Sequence, residues 1–514
     1  MKKRNNKFVR GGCTGIKNQA RANIFVSVLY QFISAVCSLI LPRFILLYFG
    51  SDVNGILQSI SQLLTYTVII EGGIGGLVIA SFYRPLAFSD EKAVSDIFNN
   101  AKDFFAKISY IYIGLVAVIA VFVKKVIRTD FDFWYVSLLA VVLGINYYFN
   151  YYFALAHRML MRADQKIRII QGVQCITLIF NTVICALAMK FGAGIHVVKI
   201  ISTLIFLVNP IVFRIYVKKH YNISKKIFDK NRELPKKRDG MVHHIAFFVH
   251  MNTDIVILSV FSGTREVSVY SVYNSIIYTI ESFFMAISDG ISASIGNLIV
   301  KDEKDALNNY FELYQTMNTF LATFFCIAEA ILIVPFVSIY TKGVTDADYI
   351  RPMFSYIAIA AQWFFCIRIP CSSVINAAGH YRQTSIGAYI EAILNICISL
   401  ALVRNFGLCG IAFGTAAAMM ARTIYMAWYL SKELLFRKMK IFVKDTLLNA
   451  AFAIVFVYLA KKAANFAPDN IFSWFLYAAA VSAATIAGLV LFNLMLKRRE
   501  VIFVFKNFRH SGPQ

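Results

Sequence analysis

Several ionisable side chains occur within long apolar stretches of this sequence. The acids are Glu71, Asp254, Glu281, Asp289, Glu329 and Glu391, and the cations are Arg43, Arg368 and Arg422. A charge near the centre of a bilayer costs about 2.5 to 3.5 kcal/mol on insertion scales. Side chains kept at that cost are candidates for holding a polar substrate or an ion inside a membrane.

Arg368 is the most informative of the cations. It lies 17 residues after Arg351 and 14 before Arg382, which is too deep for its side chain to reach either interface easily. Pro370 follows it and predicts a break in the helix. A guanidinium at this depth suits a phosphate or pyrophosphate group, and an internal salt bridge to one of the acids is the alternative.

Arg43 and Arg422 are the other two candidate substrate-binding cations. Arg43 directly follows Pro42. Both arginines are closer to the predicted interfaces than Arg368, so snorkelling of their side chains toward water is the simpler interpretation.

Two adjacent apolar segments carry polar stripes. On a helix of 3.6 residues per turn, each stripe falls within about 40° of the helix circumference. The first stripe comprises His243, His250 and Asp254, and the second comprises Asn274, Glu281, Ser288 and Ser292. Together they predict a polar internal cavity, whereas an i, i+4 hydrogen bond between His250 and Asp254 that stabilises packing is the alternative.

Two further acids are candidates for coupling transport to an ion. Glu71 precedes the glycines of EGGIGG, which permit close helix approach or local unwinding around a site. Glu391 and Asn395 share a helix face by their four-residue spacing, so they either form a structural hydrogen bond or take part in coupling. We expect no cofactor, and the coupling ion would be H⁺ or Na⁺.

The composition excludes a soluble enzyme. Of 514 residues, 59% are hydrophobic and 16% are charged, and the mean hydropathy is +0.63. The nine cysteines include no CxxC pair, and neither GxxxxGK[ST] nor HExxH occurs. We therefore expect a transporter driven by a gradient. The net charge of +24 is attributed to basic cytoplasmic loops, and no nucleic acid is expected as a partner.

Apolar stretches predict an all-α polytopic membrane protein with about fourteen transmembrane helices. Their centres lie near Ala35, Val68, Leu115, Val142, Leu178, Leu204, Ile255, Phe283, Cys326, Ala361, Leu394, Met419, Phe456 and Ala484. With the N-terminus inside, 37 of the 52 Lys and Arg residues fall on the cytoplasmic side, 11 fall outside and four fall within spans. This asymmetry predicts that both termini are cytoplasmic.

Similar residues recur at matching positions in the two halves of the chain, which indicates a repeat. Ala163 and Phe191-Gly192 recur 215 residues later as Ala378 and Phe406-Gly407. Asn181 and Asn395 are 214 apart, and Gly50 has a counterpart in Gly263. Six spans return the chain to the same side, so the repeat is parallel. The predicted segments are a basic cytoplasmic N-terminus (1–23), a six-helix bundle (24–217), a basic linker (218–240), a second six-helix bundle (241–432), two additional helices (433–496) and a basic tail (497–514).

Five stretches together resemble a known family. They are LPRFILLYFGSDVNGILQS (Leu41 to Ser59), EGGIGG from Glu71, TDIVILSVFSGTREVSVYSVYNS (Thr253 to Ser275), INAAGHYRQTS (Ile375 to Ser385) and NFGLCGIAFGTAAAMMAR (Asn405 to Arg422). Their order resembles the polysaccharide transporter branch of the multidrug/oligosaccharidyl-lipid/polysaccharide (MOP) exporter superfamily. The resemblance implies two six-helix bundles around a central cavity, with two additional C-terminal helices in some branches.

The resemblance also implies a function. Such flippases move an oligosaccharide linked to polyprenyl pyrophosphate from the inner to the outer leaflet of the bacterial cytoplasmic membrane, for O-antigen, capsule or related polysaccharides. The implied partners are the lipid-linked glycan, membrane lipids and glycan-assembly enzymes. Relatives that resemble the peptidoglycan precursor flippase carry a cluster of cavity arginines, which the three arginines here do not match. That departure counts against the peptidoglycan precursor as substrate.

Other functions remain open at this point. The runner-up is a cation-coupled multidrug exporter of the same superfamily, favoured by the intramembrane acids, although such exporters commonly have twelve spans. A membrane glycan polymerase or acyltransferase is a minor alternative. So is a scaffold that docks glycan-synthesis enzymes through the basic linker.

Overall fold

A computed structural model of the chain describes residues 13–66, 74–224, 252–301, 303–463 and 468–496. Within these ranges the regular structure is entirely helical. The contacts divide the chain into two units, Met1–Met241 and Val242–Gln514. The segment boundaries expected from the sequence stay predictions.

The first unit contains helices α1 to α6 and the second contains α7 to α14. The helices of the first unit are α1 (Cys13–Thr65), α2 (Ile74–Ala87), α3 (Glu91–Val126), α4 (Phe133–Ala163), α5 (Ile167–Lys190) and α6 (Ile195–His220). Those of the second are α7 (Asn252–Phe261), α8 (Thr264–Val300), α9 (Lys304–Tyr340), α10 (Pro352–Ala377), α11 (Tyr381–Phe406), α12 (Leu408–Leu434), α13 (Met439–Ala463) and α14 (Ile471–Leu496).

In the described ranges, twelve helices are long and apolar enough to cross a membrane, and α2 and α7 are shorter apolar helices. Helix α1 consists of two helices that meet at Gly50, whose φ of 82° and ψ of 178° are not helical. The predicted centre of the second span, Val68, lies outside the described residues. The prediction of an all-α, multi-pass membrane protein is confirmed.

Backbone conformation supports the predicted repeat. Gly263, between α7 and α8, has a φ of 92° and a ψ of 174°, which are close to the values at Gly50. A second positive-φ pair is Gly192 and Gly407, which follow α5 and α11. Glycine is favoured at these positions because side chains with a Cβ rarely adopt positive φ. At Gly50 and Gly263, where both φ and ψ agree, the same helix-joining geometry is therefore used twice along the chain.

The second unit is built around α10. In the most apolar 18-residue stretch of α10, 78% of the residues are buried inside the protein. The corresponding shares for α13 and α14 are 11% and 17%. Helix α10 packs against α8, α9 and α12, and α11 packs against α12. Helices α13 and α14 pack on α9. The C-terminal pair thus joins the second unit mainly through α9, and many of its apolar side chains are exposed.

The helix break predicted at Pro370 is wrong, because α10 continues through Pro370 to Ala377. Proline has no N–H, so it cannot bond to the carbonyl four residues earlier, which belongs to Cys366. The side-chain amide of Asn318, on α9, donates to that carbonyl at 2.8 Å. A neighbouring helix thereby satisfies the backbone group, which permits proline inside a membrane helix.

Candidate functional site

Three of the predicted ionisable residues form a buried triad in the second unit. Nη1 of Arg368 donates to Oε1 of Glu391 at 2.8 Å, and Nε of Arg422 lies 3.7 Å from the other carboxylate oxygen. All three side chains are buried. Arg368 is therefore engaged in the internal ion pair that the sequence left open as the alternative to phosphate binding. Because two guanidiniums share one carboxylate, the triad carries a net positive charge when all three groups are ionised.

The triad is positioned by three helices, α10, α11 and α12. Nη1 of Arg422 also donates to the main-chain carbonyl of Thr384 at 3.4 Å, and the guanidinium of Arg368 lies 5.2 Å from the centre of the Phe365 ring. A Cβ at Gly387 would lie 3.1 Å from Nη1 of Arg422 and would clash with the Tyr425 ring. The missing side chain at this position lets Arg422 and Tyr425 pack directly on α11.

A second polar cluster surrounds Asp254. Oδ2 of Asp254 accepts from the hydroxyl of Thr415 at 2.8 Å and from the hydroxyl of Tyr270 at 3.1 Å. The amide of Asn395 donates to Oγ1 of Thr415 at 3.1 Å. Helices α7, α8, α11 and α12 each contribute one of these residues. Oδ1 of Asn395 is buried and accepts no hydrogen bond from the described residues.

Helix α11 connects the Asp254 cluster to the triad. Asn395 and Glu391 are four residues apart and face the same side of α11, about one helical turn from each other. Gly410 and Gly414 bring α12 close to this helix, since a Cβ at Gly410 would lie 2.6 Å from the main-chain carbonyl of Leu402. The sequence predicted the α11 pair but not the Thr415 link, because threonine carries no charge that would distinguish it in an apolar run.

Glu281 and Glu329 form a third buried polar group. Both side chains are buried, and each is within electrostatic reach of the other. Glu281 also lies within reach of Arg368, and Glu329 lies beside Gln362. The sequence identified Glu329 as an intramembrane acid without assigning it a role. Its proximity to Glu281 depends on the packing of α8 against α9, which no local pattern reveals.

Of the remaining predicted residues, the structure describes Arg43 and Asn274. Arg43 is half-buried on α1, in the first unit. Asn274 is half-buried on α8, whose stripe continues to Ser288, and the hydroxyls of Ser288 and Ser373 on α10 lie 2.6 Å apart. That contact favours helix packing at this end of the stripe. Glu71 and His250 lie outside the described residues.

Comparisons with known proteins identify the fold. The structure is similar to the lipid II flippase MurJ in an inward closed conformation, with a TM-score of 0.71 at 15% identity, covering 92% of this chain and 99% of that one. The chain has the fold of MurJ. It is also similar to an inward-facing multidrug resistance MATE family transporter of the MOP superfamily, with a TM-score of 0.59 at 11% identity over 80% of this chain and 98% of that one.

A third similar structure is the MATE multidrug transporter DinF-BH. Its TM-score is 0.61 at 17% identity, covering 85% of this chain and 100% of that one. No protein-family model matches the sequence, and no curated protein matches it. The likeness to MurJ and MATE proteins therefore lies in the fold, and these neighbours are transporters.

Proposed function

We propose that this protein is a flippase that moves an oligosaccharide on a polyprenyl pyrophosphate carrier from the inner to the outer leaflet of the bacterial cytoplasmic membrane, by alternating access. The product would serve synthesis of a cell-surface polysaccharide such as an O-antigen or capsule. Both termini would be cytoplasmic, in keeping with the distribution of basic residues.

The observation that carries this proposal is the extent of the likeness to the MurJ flippase. That comparison covers 92% of the chain, whereas the two MATE comparisons cover 80% and 85%. Residues 433–514, which hold the C-terminal helix pair and the tail, are about 16% of the 514 residues. The MATE comparisons leave 20% and 15% of the chain unmatched, a share comparable in size to these residues. In our proposal α13 and α14 belong to the lipid-linked function, and the wider coverage by the flippase favours a lipid-linked substrate over a soluble drug.

The buried triad supports an anionic headgroup as cargo. A guanidinium binds phosphate oxygens through paired N–H donors, and Arg368 and Arg422 place two such groups on one carboxylate. In our proposal Glu391 holds the arginines until a pyrophosphate competes for them. Exchange of one anion for another avoids leaving a buried guanidinium without a partner.

The Asp254 cluster would be the coupling site for H⁺ or Na⁺. Its oxygens come from Asp254, Thr415 and Asn395, and oxygen ligands of this kind suit a hard cation. A proton on Asp254 is the alternative occupant. Because Asn395 and Glu391 share one face of α11, an ion bound here would act on the same helix that holds the triad.

The test is flipping of a lipid-linked oligosaccharide by the purified protein in vesicles. Arg368→Ala at equal abundance should abolish flipping, and the matched control Arg404→Ala should retain it, because Arg404 lies over the Phe261 ring outside the triad. Unchanged flipping by Arg368→Ala would remove Arg368 from the mechanism. Drug resistance on overexpression, without any glycan phenotype, would instead support the multidrug exporter.

A further inference from the structure

A polar cavity lies in the second unit between α9 and the C-terminal helix pair, apart from the ionisable network described above. It has a volume of about 260 Å³. An adjoining smaller cavity shares seven of its lining residues. The shared residues are Gln315, Thr316, Arg437, Ile441, Asp445, Asn449 and Asn493. Polar side chains that line a cavity offer hydrogen bonds and charge to a polar ligand.

The cavity offers hydrogen-bond acceptors. The amide nitrogens of Asn449 and Asn493 each donate at 2.8 Å to a main-chain carbonyl of their own helix. Each donation uses one of the two amide N–H groups, so each side chain keeps its carbonyl oxygen as an acceptor beside one remaining N–H donor. Carboxylates of Asp445 and Glu312 also line the space. This acceptor set suits an ammonium group.

The same cavity offers two cations, Arg437 and Lys444. The guanidinium of Arg437 lies 5.4 Å from the centre of the Phe311 ring. Its N–H groups are donors of the kind that phosphate oxygens accept. The lining thus includes two acids and two bases. A purely anionic ligand would meet the acids unfavourably, whereas a ligand with one phosphate and one ammonium matches both pairs.

The surface beside the cavity is apolar and faces outward. On α13, Ile441 is 47% exposed and Leu447 is 64% exposed, and Ile441 and Leu448 line the cavity itself. Helices α13 and α14 have little of their apolar surface buried inside the protein. A ligand with acyl chains would lay them on this face while its headgroup enters the cavity.

We propose that the cavity between α9, α13 and α14 binds the headgroup of a zwitterionic phospholipid that carries a primary ammonium, of the phosphatidylethanolamine type. Arg437 and Lys444 bind the phosphate. Asn449 and Asn493 accept hydrogen bonds from the ammonium, and the carboxylates that line the cavity favour its positive charge. The site is separate from the substrate and ion sites proposed above and does not depend on them.

The test is lipid binding to the purified full-length protein, measured by native mass spectrometry with phosphatidylethanolamine, phosphatidylcholine or phosphatidylglycerol of identical acyl chains. We expect phosphatidylethanolamine to bind at least tenfold more tightly than either of the others. Phosphatidylcholine keeps the positive charge but has no N–H donors on its ammonium, whereas phosphatidylglycerol has no positive charge. Equal binding of all three lipids would overturn the proposal.

Variants locate the site. Arg437→Gln should weaken phosphatidylethanolamine binding about tenfold, whereas the matched control Lys461→Gln, near the other end of α13 and over the Tyr356 ring, should leave it unchanged. Asn449→Asp adds an acidic acceptor. This variant should bind phosphatidylethanolamine more tightly and phosphatidylglycerol more weakly than the parent protein does. Thermal unfolding of each variant in detergent identifies a misfolded one. Folded variants that bind all lipids like the parent protein would overturn the assignment of the cavity.

A competition experiment with a soluble compound distinguishes a lipid from a free phosphate ester as the occupant of the cavity. Phosphoethanolamine without acyl chains, added at millimolar concentration, should fail to displace the bound lipid, because it lacks the apolar contacts with α13. Displacement by the soluble compound would overturn the lipid as the natural occupant.

Discussion

Nη1 of Arg368 lies 2.8 Å from Oε1 of Glu391, and both side chains are buried at adjoining faces of α10 and α11. The same carboxylate lies 3.7 Å from Nε of Arg422. One carboxylate is therefore shared by an arginine of α10 and an arginine of α12, and the three groups keep a net positive charge when all are ionised. Removing it should be more damaging than removing a surface acid, because two guanidiniums lose their counter-charge at once.

Glu391→Gln should destabilise the protein by about 3 to 5 kcal/mol, the usual cost of breaking a buried ion pair by removing one partner. The measurement is unfolding of the full chain in detergent. The control is Glu433→Gln, whose parent side chain is 45% exposed and 3.7 Å from Lys432, and which should cost less than about 1 kcal/mol. Equal losses for the two variants would show that the triad does not stabilise the second unit.

Asn318 should matter only because Pro370 is present. Asn318→Leu leaves the carbonyl of Cys366 unsatisfied, which should cost about 1 to 3 kcal/mol. In a Pro370→Ala background, residue 370 regains an N–H that reaches the same carbonyl, so Asn318→Leu should cost much less. A double-mutant cycle on unfolding in detergent measures this coupling. Equal costs in both backgrounds would contradict the assigned role of Asn318.

Gly387 should not tolerate a side chain. Gly387→Ala would place its Cβ against the Tyr425 ring and beside Arg422, and overpacking of this kind costs about 1 to 3 kcal/mol. The matched control is Gly290→Ala on α8, where a Cβ has no neighbour within 4 Å. Replacing glycine by alanine there should be neutral or slightly stabilising. Melting temperatures in detergent compare the two, and an unaffected Gly387→Ala would mean that α11 and α12 adjust freely.

Much of the fold follows from the sequence because the membrane leaves few choices. An apolar run of about twenty residues must satisfy its backbone internally, so helix number and approximate position can be predicted from hydropathy. The repeat could also be predicted, since Gly50 and Gly263 occupy backbone positions that disfavour other residues. Pro370 misled the prediction because its effect depends on Asn318, which lies 52 residues earlier in the chain.

The candidate site was predicted in part. Charges inside apolar runs are conspicuous, and Arg368, Glu391 and Asp254 could be selected for that reason. Asn395 could be selected because its four-residue spacing from Glu391 places both on one helix face. Arg422 was also selected, but its pairing with Glu391 could not be predicted, because it depends on how α11 packs against α12. Thr415 could not be selected, because its contact with Asp254 depends on how α12 packs against α7. Arg43 carries the same charge as Arg368, and chain order places it in the first unit. Its role could not be predicted, because a role depends on which side chains pack around it.

The Asp254 cluster should set the cation dependence of transport. In proteoliposomes that carry a Na⁺ or H⁺ gradient, Asp254→Asn should abolish stimulation by the coupling cation, because the variant loses the only formal negative charge among Asp254, Tyr270, Thr415 and Asn395. Thr415→Val removes one oxygen and keeps the charge, so it should raise the cation concentration for half-maximal stimulation about tenfold, equivalent to about 1.4 kcal/mol.

The matched control for that experiment is Glu266→Gln on α8, the helix that also carries Tyr270. Glu266 pairs with Arg351 at 3.0 Å near the start of α8, and its side chain is 29% exposed, so its loss should leave cation stimulation intact. Stimulation by Na⁺ alone would favour a metal ion held by oxygen ligands, and stimulation by a pH gradient alone would favour a proton on Asp254. Asp254→Asn protein that responds to both gradients as the parent does would place the coupling site elsewhere.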